Sequence, residues 1–178
     1  MSRYILQLLL STFIVGNVAI VDTTAQTKTI SQTDKLNMMQ DKDTASSKTN
    51  ISTFLTFQKE DAEAAMNFYI GLFENSKIDE LVRWGAQGPG KEGTIMSAKF
   101  TLSGKQYMCS DSPPVHAWDF TPAVSNFVEC KDEGEVDRLY AALSEGGQIM
   151  MPIGNYGFSQ KFAWVQDKFG ISWQINLP

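Results

Sequence analysis

Imidazole is almost missing from this sequence: among 178 residues only His116 carries one. No histidine pair is available to hold a metal, and any imidazole acid–base chemistry must run through that single position. No serine stands in a nucleophile elbow, so a serine-based hydrolase has no foothold. Cysteine is equally scarce. Cys109 and Cys130 each fall inside an apolar, strand-like run, where a thiol behaves as a small hydrophobe. A bridge between them depends on a Cα separation that the sequence does not disclose. Positive charge is also in deficit, with 15 Lys and Arg against 20 Asp and Glu, for a net charge of −5. Without a basic stripe to displace counterions from phosphates, a nucleic-acid partner is not expected. Finally, no aromatic residue occurs between Phe13 and Phe54.

That aromatic gap separates two kinds of chain. At the front, Arg3 precedes an apolar run from Tyr4 to Val21, followed by Thr23 and Ala25 at the small-residue positions of a cleavage site. Residues 1–25 therefore read as a signal peptide, and the protein as secreted or periplasmic. The alternative is an uncleaved membrane anchor, since the run is near spanning length although Gln7, Ser11, Thr12, Gly16 and Asn17 dilute it. A membrane partner enters only in that case. No cysteine near the cleavage point invites a lipid. Residues 26–50 are rich in Thr, Ser, Gln, Lys and Asp and bury too little apolar surface to offset the entropy of ordering, so a disordered tether is expected there.

From Ile51 onward the sequence is that of a globular domain, and its first half echoes its second. Setting Asp61 against Asp132 brings Phe68 over Leu139, Tyr69 over Tyr140, Leu72 over Leu143 and Ile78 over Ile149. Each half reads strand, helix, then extended segments. Ile51–Phe57 alternates as a strand does. Asp61 is placed to cap a helix with Ala65, Met66, Tyr69, Leu72 and Phe73 at helical spacing, and Asn75 is suited to the left-handed stop. Lys77–Trp84 returns as a strand. Gly85–Gly93 is a loop whose Gly-Pro-Gly-Lys has the wrong spacing for a phosphate loop. Thr94–Leu102 and Lys105–Ser110 form a hairpin about Ser103-Gly104. A proline-rich crossover from Asp111 to Pro122 leads to the second module. There the expected elements are a strand at Ala123–Lys131, a helix capped by the Asp132/Glu135 box, and strands at Gln148–Ile153, Phe162–Gln166 and Ile171–Leu177. Neither half can bury a sheet face alone, so the two should pack as a pair around a cleft. Trp84, Trp118, Phe158 and Trp164 are the aromatics expected at the cleft or its rim, while Glu129 and Asp167, at strand ends, are expected to face water.

This order of elements resembles the vicinal oxygen chelate superfamily, the glyoxalase and bleomycin-resistance fold. The stretches Ala62–Tyr69, Gly88–Gly93, Pro114–Ala117, Met151-Pro152, Asn155–Phe158 and Trp164–Asp167 through Trp173–Ile175 are similar to its PhnB-like branch, over nearly all of residues 51–178. The resemblance implies an α+β domain of two βαβββ modules, about 51–112 and 122–178, with mixed sheets around a central cleft. It also implies a homodimer in which strands are exchanged between chains. The branch carries the label of demethylubiquinone methyltransferase, but no glycine-rich strand-to-helix loop is present here to hold a methyl donor.

Metal-using members of the superfamily draw four ligands from the first and fourth strands of each module. Counting back fourteen residues from Phe68 and from Leu139 assigns those corners to Phe54 and Ser125. A glycine followed four residues later assigns the others to Met108, after Gly104, and Gln174, after Gly170. A ring, a sulfide, a hydroxyl and a carboxamide make a poor cage for a divalent cation, so neither a bound metal nor another cofactor is expected. The expected occupant of the cleft is an unidentified small molecule, contacted by Phe54, Thr56, Met108, Ser125, Trp164 and Gln174. Two alternatives stay open. One is an isomerase, lyase or dioxygenase-like enzyme that recruits a metal weakly or uses His116 with Asp111 as its acid–base pair. The other is a dimeric interaction module whose cleft is filled by side chains.

Overall fold

The computed structural model describes residues 49–178; the signal-peptide reading and nearly all of the tether lie outside them. The first module comprises β1 (Thr53–Phe57), α1 (Ala62–Leu72), β2 (Lys77–Arg83), β3 (Ile95–Leu102) and β4 (Lys105–Asp111). In the second module follow β5 (Ser125–Glu129), α2 (Glu133–Ser144), β6 (Gln148–Gly154), β7 (Lys161–Gln166) and β8 (Ser172–Leu177). Each module makes one four-stranded mixed sheet, ordered β1-β4-β3-β2 and β5-β8-β7-β6. The pairs β1/β4 and β5/β8 are parallel and the rest antiparallel. The glyoxalase-like α+β architecture is thus present in full, with element ends moved by one or two residues from those read in the sequence.

Strand alternation decides which face of each sheet is dry. Leu55 and Phe57 of β1, Ala98, Phe100 and Leu102 of β3, and Tyr107 and Cys109 of β4 are buried beneath α1, which contributes Ala62, Ala65, Met66 and Tyr69. In the second module Ala163, Val165, Trp173 and Ile175 lie against Val136, Leu139 and Leu143 of α2. Burial is crossed within the pairs set together in the sequence: Tyr69 and Leu139 are fully buried, whereas Phe68 and Tyr140 are only partly so. The opposite face of each sheet is more open, with Phe54 50% and Phe127 56% exposed.

The two helices start differently. At α2 the box forms, with Asp132 Oδ1 accepting the Glu135 N–H at 2.8 Å and Glu135 Oε2 reaching back to the Lys131 N–H at 3.0 Å. At α1 the side chain of Asp61 makes no capping bond. Asp111, arriving from the end of β4, takes that place: its Oδ1 accepts the Ala62 N–H at 3.0 Å and its Oδ2 the Ile95 N–H at 2.8 Å. A cap supplied from another strand leaves no local pattern for the eye to find.

The modules join through their helix-side cores. Trp173 of β8 packs on Tyr69 and Phe73 with ring centroids 5.2 and 5.4 Å apart, and Phe57 meets Phe120 of the crossover at 5.1 Å. Tyr107 donates to Asn126 Oδ1 at 2.7 Å, and Arg138 Nη1 donates to Leu72 O at 2.8 Å. At the centre of the seam sits Asp167, which is 4% exposed rather than facing water. Its Oδ1 accepts the N–H groups of Phe169 and Ile171, and its Oδ2 accepts Tyr69 O–H at 2.7 Å and Trp173 Nε1–H at 2.8 Å. Burial raises its pKa against the pull of these four donors. Glu129, by contrast, is exposed as expected.

Both cysteines are free and buried, one in each module. Burial pushes the Cys109 thiol up to about 12 and Cys130 up to about 11. A thiol reagent that attacks thiolate should therefore find neither residue in the native protein at neutral pH and both after denaturation. Rapid labelling of the native fold would contradict this burial.

Candidate functional site

Strand register fixes how the expected site residues stand to one another. Phe54 lies directly across from Met108, and Thr56 across from Ser110, on the open side of the first sheet. On the second sheet Trp164 is paired with Gln174, which on its other side is paired with Phe127. Ser125 is one rung away: its partner is Ser172. Lateral pairing therefore puts Phe127, and not Ser125, at the corner beside Gln174. The cause is a shorter run between strand and helix in the second module. Fourteen residues separate Phe54 from Phe68, but only twelve separate Phe127 from Leu139. Because the slip is even, Ser125 keeps the open face.

Ser125 and Phe54 meet across the seam. A cavity of about 350 Å³ is bounded by β1 from Thr53 to Leu55, the crossover from Asp119 to Val124, and the first residues of β5 and β8. Its wall includes Phe54, Phe120, Val124 and Ile171, with Ser125 and Ser172 as a hydroxyl pair and Lys105 at one edge. Met108, Thr56, Trp164 and Gln174 do not line this cavity, so it unites two of the six expected contacts. Trp164 nevertheless acts on it, since its Nε1–H donates to Ser172 Oγ at 2.9 Å while Ser172 and Ser125 hydroxyls stand 2.7 Å apart. Ser125 Oγ also reaches Pro122 O at 3.4 Å.

Ser172, Phe120 and Lys105 escaped the sequence reading. For Ser172 a signal existed, because it stands two residues before Gln174 on one strand and so shares its face. Phe120 and Lys105 arrive from a loop and a hairpin end, and no periodicity announces them.

The proposed acid–base pair does not assemble. His116 is exposed and stacks on Trp118 with centroids 4.4 Å apart, while both oxygens of buried Asp111 are occupied by backbone N–H groups. Gln58 straps the crossover instead, accepting the His116 N–H at 2.9 Å and donating to Trp118 O at 2.5 Å. Trp118 and Phe158 stand out in solvent, 54% and 68% exposed. Trp84 is withdrawn from the cavity. The Gly88-Pro-Gly90 loop lies on its indole so closely that a Cβ at Gly88 would come within 2.6 Å of the ring, which explains this glycine pair without any phosphate.

The residues at the superfamily's metal corners do not fit a metal. Phe54 and Phe127 have no lone pair to offer, and Met108 with Gln174 supplies one soft sulfur and one neutral oxygen. Among the described residues no three His, Cys, Asp or Glu side chains converge.

Comparison with known proteins places this geometry. The model of the family described as 3-demethylubiquinone-9 3-methyltransferase matches residues 49–176. A PhnB protein from Bacillus cereus is 48% identical, superposes with a TM-score of 0.70 and covers 73% of this chain and 100% of its own. Protein PA1353 from Pseudomonas aeruginosa is 24% identical with a TM-score of 0.63, over 72% of this chain and 97% of its own. A glyoxalase/bleomycin resistance protein from Albidiferax ferrireducens is 13% identical with a TM-score of 0.46, over 72% and 99%. No curated protein matches.

Proposed function

We propose, from the premise that this chain belongs to the 3-demethylubiquinone-9 3-methyltransferase family, the PhnB-like branch of the vicinal oxygen chelate superfamily, that it is an exported domain that binds a small molecule without a tightly held metal. One observation carries the reading: an apolar cavity at the module seam holds a hydroxyl pair oriented by a half-buried indole N–H. Apolar walls with a few aimed polar groups are how small ligands are generally held. The donor chemistry at the four corners supports the metal-free part. Methyl transfer in the family's description lacks support in the connections that would cradle a nucleotide-like donor. Gln58–Asp61 between β1 and α1, and Cys130–Asp132 between β5 and α2, contain no glycine.

The open sheet faces support the homodimer, because Phe54 and Phe127 are each at least 50% exposed there. Light scattering on the purified domain should return twice the chain mass. Export rests on Arg3 and the apolar run after it; amino-terminal sequencing of the mature protein should find a start near Gln26. For the site itself, native mass spectrometry and elemental analysis of one dialysed sample decide together. The expected result is a co-purified organic adduct with far less than one equivalent of Zn, Ni, Mn or Fe per chain. A full equivalent of metal would refute the reading.

A further inference from the structure

Hydrogen-bond polarity around the seam cavity is one-sided. An indole N–H only donates, so Ser172 Oγ accepts from Trp164, and a second bond of 2.7 Å joins the Ser172 and Ser125 hydroxyls. Ser125 Oγ also donates to Pro122 O, at a distant 3.4 Å. Asn126, which also lines the cavity, spends its Oδ1 on the Tyr107 hydroxyl and keeps its Nδ2 without a partner among the described residues. Burial holds that tyrosine protonated by raising its pKa to about 12, so it serves as the donor of the pair. Lys105 brings a third donor, a full positive charge with no carboxylate within 4.0 Å among the described residues. The one acid of the lining, Asp119, is already matched by Lys59 at 3.3 Å and by the Phe120 N–H at 2.8 Å.

Two donors without a hydrogen-bond acceptor among the described residues, the Asn126 amide and the Lys105 ammonium, line an apolar cavity whose one acid is already matched. From this juxtaposition, and resting on the small-molecule reading above, we propose that the cavity takes a compact apolar carboxylate: an apolar or aromatic body against Phe54, Phe120 and Val124, with its oxyanion at Asn126 and Lys105. At about 350 Å³ the space suits a single ring with a short acidic arm. No covalent step is involved.

Phenylacetate and its neutral isostere phenylacetamide test the class. The Trp164 indole N–H resonance, identified by its loss in Trp164→Phe, reports on the hydroxyl pair in a ¹H–¹⁵N titration of the full chain. Phenylacetate should bind roughly tenfold more tightly than the amide, the worth of one charge-assisted contact. Lys105→Gln, a change at an exposed position, should remove most of that preference by weakening the acid's binding far more than the amide's. Equal binding of acid and amide to the unaltered protein would overturn the carboxylate assignment and leave small-molecule binding standing. If neither compound moves the Trp164 resonance at any soluble concentration, the assignment and the binding reading at this cavity both fall.

Discussion

Asp167→Ala should lower the free energy of unfolding by about 3–5 kcal/mol, the range for removing the hub of a buried polar cluster. Four donors lose their acceptor at once: the Tyr69 hydroxyl, the Trp173 indole and the amides of Phe169 and Ile171. Neither side-chain donor can recover by turning to water, because Tyr69 is fully buried and Trp173 nearly so. Tyr69→Phe removes one donor and leaves the carboxylate with three, so its cost should be near 1 kcal/mol. Asp167→Asn is the sharper probe. It preserves shape, yet turns one acceptor oxygen into a donor facing either two side-chain donors or two amides, and should cost nearly as much as alanine. Urea unfolding of the three variants measures all of this; an Asp167→Ala midpoint close to that of the parent would show that the seam does not depend on the carboxylate.

The second large effect separates two aspartates that sequence patterns would rank the other way round. Asp61→Ala should change stability by less than about 0.5 kcal/mol, because its half-buried side chain makes no capping bond. Asp111→Ala should cost about 2–4 kcal/mol, since it leaves the Ala62 and Ile95 amides without acceptors and uncaps α1. The same denaturation experiment reads both. A large loss at Asp61 with none at Asp111 would mean that the helix is capped locally after all.

How much of this was legible in the sequence follows from the range of each interaction. Helices α1 and α2 announce themselves because their buried positions recur every three or four residues, and the Asp132–Glu135 box lies within one turn. Strand pairs appear through alternation, and the β3–β4 turn through Ser103-Gly104, both at positive φ. Asp111 and Asp167 were misread for a common reason. Their partners lie as far as 49 and 98 residues away in the chain, and a carboxylate at a strand end otherwise looks like a solvated one. The site was half legible. Phe54 and Ser125 were found by counting from a helix, but the cavity wall that joins them comes from the crossover, whose path no local rule supplies. Trp164 was picked as a contact and acts through Ser172 instead.

The run from the open-face corner to the helix, two residues shorter in the second module, bears on how such a duplicated domain diverges. A trim of one would invert the strand, turning its oily side outward, and would be purged. A trim of two slides every side chain along by about 7 Å without exchanging wet for dry. Ancestral corner positions can therefore drift lengthwise in paired steps while each half remains foldable, and the halves of one molecule come to present their polar groups at different heights.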